Sequence, residues 1–203
     1  MIKARHISFY VNFINLYTKL NIQWHFSKVT INSNIKVQPL PVLLIGNHST
    51  WWDGFFGAYL NIKIFRKIIY VMMLEEQLIH RKFLNKAGAY SIQKGARSMI
   101  ETINYSKNIL NNKNNLLLMF PQGEIQSSYT YPLKFEKGIM QLIKTEHPIQ
   151  LVFFAALIDY FSNKKPQLNF YLTEHNILNI TTINDIENAY NQFFKNCIES
   201  QKE

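Results

Sequence analysis

His48 and Asp53 lie five positions apart in LLIGNHSTWWDG (43–54), directly after a short apolar run. A turn that only closes a strand is made of small or polar residues. It requires neither this imidazole and carboxylate nor the bulky Trp51 and Trp52 between them. If the chain enters a helical turn after His48, that spacing brings the two side chains within hydrogen-bonding reach. A carboxylate accepting from one ring nitrogen fixes the tautomer and leaves the other nitrogen as a base. Such a base takes a proton from a hydroxyl and returns it to a leaving group, typically for about 10²–10⁴-fold in rate. Chance and ordinary polar packing also produce a bare His-x4-Asp pair, so the spacing points to hydroxyl activation only together with its surroundings.

The elements that must position the pair alternate along the chain. Strand-like runs stand at 28–31, PVLLIGN (41–47), KIIYVMML (67–74), AYSIQK (89–94), 116–120, PIQLVFFAALID (148–159) and QLNFYLTE (167–174). Helical patterns fill 5–20, 52–60, 75–88 with Gly88 as the stop, 98–110, 135–144 and 185–200. This alternation predicts an α/β fold: a central, largely parallel sheet flanked by helices, with an N-terminal amphipathic helix. One domain over 1–203 is expected, with 40–160 as the motif-bearing core and 1–25 as a membrane-docking helix. Ligands on such sheets sit beyond the carboxyl ends of the strands. His48 and the Pro-Gln-Gly turn after Phe120 both fall there, so the two are expected to share a site.

Within 5–20, Phe9, Phe13, Leu16 and Leu20 recur at spacings of four, three and four. Such a stripe either packs on the core, the commoner outcome, or lies in a membrane interface, where Lys3 and Arg5 suit anionic headgroups. Within 98–110, Met99, Ile103 and Leu110 fall roughly on one side.

Composition narrows the partners. Hydrophobic residues at 47% and charged residues at 17% argue against disorder, and the net charge of +9 favours an anionic partner. The segment from Lys63 to Arg97 holds eight basic residues against Glu75 and Glu76, a local charge of +6. Nucleic-acid binding asks for aromatics interleaved with basics on an exposed sheet. Here the aromatics sit mostly inside apolar runs, which favours an anionic membrane surface over nucleic acid. The lone Cys197 excludes an intramolecular disulfide, fits a reducing compartment and reads as a packing residue. Neither a spanning helix nor a signal peptide is expected, because no long apolar run follows the basic MIKARHISFY or stands elsewhere.

NHSTWWDG after one apolar strand, with LLLMFPQGE (116–124) after another, resembles the glycerolipid acyltransferase family, which includes lysophosphatidate and glycerol-3-phosphate acyltransferases. The resemblance covers roughly residues 40–160. It implies a catalytic dyad of His48 and Asp53, and an acceptor-binding block that Phe120, Pro121 and Gly123 match. GAYSIQKGARS (88–98) is similar to the family's intermediate block, which implies that Lys94, with Arg97 close by, meets the acceptor phosphate. Pro148 holds the place of the proline before the family's final strand. The family's glutamate in the second block is Gln122 here, and the threonine after the glycine is Glu124. The acceptor-binding set implied is therefore Lys94, Arg97, Gln122, Gly123 and Glu124.

The implied activity moves a fatty acyl group from acyl-CoA or acyl carrier protein to the hydroxyl of a lysophospholipid or glycerol phosphate. The thioester is a co-substrate, and neither a metal nor a further cofactor is called for. The enzyme would be cytoplasmic, peripheral on the inner face of the membrane, with the anionic membrane surface, the lipid acceptor and acyl carrier protein as partners. No Gly-x-Ser-x-Gly signature is present, so an acyl-enzyme is not required and Ser49 is not read as a nucleophile. One of Trp51 and Trp52 is expected in the core, the other along an acyl tunnel or at the bilayer interface. Two other readings stay open. Gln122 and Glu124 would mark an acceptor without phosphate, such as an amino-acid or sugar lipid. Charge alone would also permit a non-catalytic basic membrane- or nucleic-acid-binding module.

Overall fold

The computed structural model describes residues 1–93, 95–144 and 147–202, and for Ala96 and Arg97 the backbone alone. The strands are β1 (Lys28–Ser33), β2 (Val42–Gly46), β3 (Ile68–Leu74), β4 (Ala89–Ile92), β5 (Asn115–Met119), β6 (Gln150–Asp159) and β7 (Gln167–His175). They form one sheet in the order β1-β7-β6-β2-β5-β3-β4. Every neighbouring pair is parallel except β6 with β7. The helices are α1 (Ser8–His25), α2 (Asp53–Leu60), α3 (Glu75–His80), α4 (Lys82–Asn85), α5 (Ala96–Ile109), α6 (Ile139–Ile143) and α7 (Ile183–Glu199). The predicted α/β architecture is thus present, with a sheet that is mostly parallel.

Burial follows the period of two along a strand. In β2, Leu43 and Ile45 join the cluster that includes residues of α5, α6 and α7, while Val42 and Leu44 join the one beneath α1 and α2. Both faces of the sheet are therefore covered, and the run from Val42 to Ile45 is fully buried. Among the described residues no helix is long and apolar enough to cross a membrane.

Three boundaries differ from the sequence expectation. The first helix runs Ser8–His25 rather than 5–20, because His6 forms an antiparallel bridge with Ala87 and Ile7 is still extended. The expected helix over 75–88 is two short ones, broken at Arg81, whose φ of −128° and ψ of 50° are not helical. The expected helix over 135–144 shrinks to α6, because it is entered through a tighter turn in which the Ile139, Met140 and Gln141 N–H groups donate to carbonyls three residues back rather than four.

Two inner faces also differ. Helix α1 turns Ile14, Thr18 and Ile22 inward, whereas Phe9, Phe13, Leu16 and Leu20 are 52–71% exposed, and Trp24 extends their row. The stripe does not pack on the core. Helix α5 buries Thr102, Ser106 and Ile109 and leaves Met99 exposed, while Leu110 is buried and Ile103 packs partly against the core as expected.

Candidate active site

Strands β2 and β5 are parallel neighbours with Ile45 opposite Met119, so the chain leaves both at the same edge of the sheet. His48 follows one and the Phe120 turn follows the other. Asp53 is the first residue of α2 and has no exposed surface. A carboxylate there is favoured by the helix dipole, but burial demands that its lone pairs be used. Its Oδ2 accepts from His48 Nδ1 at 2.8 Å and from the Ser49 and Thr50 N–H groups at 2.7 and 2.8 Å. Its Oδ1 accepts from Thr50 Oγ1 at 2.9 Å.

His48 is fixed on all but one side. Its N–H donates to Gln122 Oε1 at 2.7 Å, and its carbonyl accepts from the Gln126 N–H at 2.9 Å. The ring stacks on Phe120 with centroids 4.5 Å apart and planes 17° apart, and Phe120 rests edge-on against Phe154. Gly46 makes room for that ladder, because a Cβ there would overlap the Phe154 ring. Asn47 pins the end of β2 to β6: its Oδ1 accepts from the Ala156 N–H at 3.0 Å and its Nδ2 donates to the Ala156 carbonyl at 3.3 Å. With Nδ1–H engaged by Asp53, Nε2 carries the lone pair, and among the described residues it has no hydrogen-bond partner. The side chain is 23% exposed. This is an imidazole fixed through Nδ1 with its other nitrogen left unbonded among the described residues.

The second block holds the first. Gln122 is buried, and besides accepting from His48 it donates from Nε2 to Gln126 Oε1 at 2.9 Å. Gln126 in turn donates to Glu124 Oε1 at 3.2 Å. Gly123 has a φ of +75°, which favours glycine, and a Cβ there would press on Glu136 Cγ at 3.1 Å. Glu124, Gln122 and Gln126 share a cavity of about 400 Å³ with Lys134, Glu136 and Lys137. A second cavity, of about 240 Å³, lies between Ile22 and Phe26, Trp52, and the Ile158–Pro166 turn. His48 lines neither, but the first is bounded by the two glutamines that hold it.

Trp52 is half-buried against the core beneath α1, and Trp51 is exposed, with the Arg81 guanidinium 5.8 Å from its ring centre. Lys94 lies outside the described residues. Arg97 sits in the first turn of α5, and its side chain is likewise outside them. Sequence reasoning named neither Asn47, Thr50 nor Gln126 as a working part. Thr50-x-x-Asp53 follows the capping-box pattern and could have marked Thr50. Asn47 stood inside the stretch already singled out, whereas Gln126 carries no sequence signal.

A protein-family model described as Acyltransferase matches residues 27–154, more than half of the chain and the whole span from β1 to the middle of β6. No curated protein matches the chain. Helices α1 and α7 lie outside the matched span. With the dyad's geometry and this match together, the chain belongs to the Acyltransferase family.

Proposed function

We propose that this acyltransferase moves a fatty acyl group from a thioester, on coenzyme A or acyl carrier protein, to the hydroxyl of a lysophospholipid or glycerol phosphate at a membrane surface. The observation that carries the reading is the Asp53–His48 pair, in which the carboxylate takes Nδ1–H and leaves Nε2 to accept a proton. The acceptor hydroxyl gives its proton to Nε2 while its oxygen attacks the thioester carbonyl carbon. The tetrahedral intermediate collapses with cleavage of the C–S bond, and the leaving thiolate takes the proton back from Nε2. Asp53 stabilises the imidazolium between the two transfers. The oxyanion calls for fixed donors, and backbone N–H groups near the Phe120 turn are the proposed source. The Gly123 N–H is not among them, because it donates to the Phe120 carbonyl at 3.2 Å.

Lys94 and Arg97 are the proposed contacts of the acceptor phosphate. Peripheral attachment to the inner face of an anionic membrane rests on the net charge of +9 and on the exposed row of Phe9, Phe13, Leu16, Leu20 and Trp24. One observation favours a second acceptor class. The cavity beside Gln122 carries Glu124 and Glu136 as well as Lys134 and Lys137, and Lys134 is already paired with Glu187 at 3.3 Å. Its described lining is therefore not cationic, which would suit a headgroup without phosphate. A thiol-release assay with several acyl thioesters and a panel of lysolipids tests both. His48→Ala that releases thiol as fast as the wild type overturns the reaction. A strong preference for lysophosphatidate over its dephosphorylated form removes the second acceptor class.

A further inference from the structure

We infer that one turn of α7, outside the span that matches the family, holds the catalytic loop in place, with Tyr190 as a positioning residue and Glu187 and Asn191 as its supports. The inference rests on the acyl-transfer reading for its activity readout.

The buried face of α7 is apolar at Ile186, Phe194 and Cys197, yet the turn between them carries Glu187, Tyr190 and Asn191, all buried. A helix that only had to cover the core would be served as well or better by apolar side chains there. Each of the three is instead bonded to backbone that leads to His48. The Tyr190 hydroxyl donates to the Phe154 carbonyl at 2.7 Å. Phe154 lies opposite Gly46 in the β2–β6 ladder, so this hydroxyl sits where β2 gives way to the catalytic loop. Burial holds the Tyr190 hydroxyl well above its ordinary range, which keeps it protonated and donating.

The other two residues reach His48 by the second block. Asn191 accepts from the Leu133 N–H at 2.8 Å and donates to its carbonyl at 2.9 Å. Glu187 accepts from the Phe135 N–H at 2.8 Å. The next residue, Glu136, donates its N–H to the Pro121 carbonyl at 2.7 Å, and Pro121 precedes the Gln122 that accepts from His48. A single helical turn thus sets the loop from beneath, through Phe154 beside the end of β2, and from the side, through Gln122.

The test compares Tyr190→Phe, which removes the hydroxyl and keeps the ring, with Phe194→Leu, which removes the ring stacked on Tyr190 one turn later but leaves the hydrogen bonds of both routes in place. Two readouts are needed: steady-state thiol release, and the proton NMR resonance of the hydrogen-bonded His48 Nδ1–H, assigned by its disappearance in His48→Gln. Tyr190→Phe is expected to lower kcat roughly 10–100-fold with KM for the thioester within about twofold, and to broaden or remove the resonance. Phe194→Leu is expected to melt earlier and keep both readouts. A Tyr190→Phe protein with wild-type kcat and resonance overturns the inference, as does a Phe194→Leu protein that loses both equally. Should Tyr190→Phe not fold, Glu187→Ala is expected to lose both readouts and Glu187→Gln, which keeps the acceptor for Phe135, to restore them. Equal behaviour of those two overturns it. If the wild type releases no thiol from any thioester, the acyl-transfer reading fails while the resonance still tests the positioning.

Discussion

Replacing Asp53 by asparagine separates the charge at this site from its hydrogen bonds. The amide introduced by Asp53→Asn can turn its oxygen toward the three donors that Oδ2 now serves, His48 Nδ1–H and the Ser49 and Thr50 N–H groups. Its NH₂ then meets Thr50 Oγ1, which can rotate to accept. The loop keeps its shape and His48 keeps its tautomer, so what disappears is the stabilisation of the imidazolium formed during transfer. Two unit charges about 4 Å apart at an effective dielectric near 20 interact by about 4 kcal/mol, or roughly 10³-fold in rate. The measurement is kcat for thiol release from a long-chain acyl-CoA, followed with a chromogenic disulfide. The protein's own thiol does not interfere, because Cys197 is buried and burial pushes it up to about 12. An Asp53→Asn enzyme that melts like the wild type and retains more than about a tenth of its kcat would refute the reasoning and reduce Asp53 to a staple of the loop.

Three further outcomes are expected. Gln122→Ala leaves the His48 N–H without its acceptor and should cost about 1–3 kcal/mol in urea unfolding; unchanged unfolding would remove Gln122 as a support of the loop. Phe13 and Leu16 are more than half exposed, so changing both to Glu should leave the melting temperature unchanged and abolish sedimentation with anionic phospholipid vesicles. Undiminished sedimentation would remove α1 from the membrane reading. The Asp185 carboxyl at the start of α7 is held at about 2, below its ordinary 3.8, first by the Thr181 hydroxyl and then by the Thr182 and Thr181 N–H groups. That contribution is complete above pH 3.8 and lost as the pH falls through 2, so Asp185→Asn should flatten the fall in melting temperature over this window.

The α/β order was readable because β2, β5 and β6 are uninterrupted apolar runs, and the contact of His48 with Asp53 because a helical turn after such a run brings residues at that spacing together. The antiparallel pairing of β6 with β7 was also within reach. Only residues 160–166 join them, too few for the dozen-residue crossover that a parallel neighbour needs. The inner face of α5 was not readable from an apolar pattern, because it is built from hydroxyls that satisfy themselves. Thr102 donates to the Ser98 carbonyl at 3.0 Å, Ser106 to the Thr102 carbonyl at 2.8 Å, and Tyr90 shares a 2.7 Å bond with Ser106. The stripe on α1 was visible, but which of its two outcomes holds was not. Periodicity finds an apolar face without saying what covers it, and the α1 face that meets the protein is the one bearing Ile14, Thr18 and Ile22.

The departure at position 122 shows the same limit at the site itself. What this position does is accept the His48 N–H, and an amide oxygen does that as well as a carboxylate oxygen. The difference lies in the second atom. A carboxylate there would turn a bare oxygen toward Gln126 Oε1, whereas the Gln122 amide turns a donor to it. Gln126 can then point its own donor outward to Glu124, so residues 122, 126 and 124 form one directed chain of hydrogen bonds. Position 122 is buried and position 124 exposed, and a charge at 122 would bear a desolvation cost that Glu124 does not. Glutamine at 122 is therefore the residue that lets the turn keep its grip on His48 while its negative charge stands in solvent two positions later.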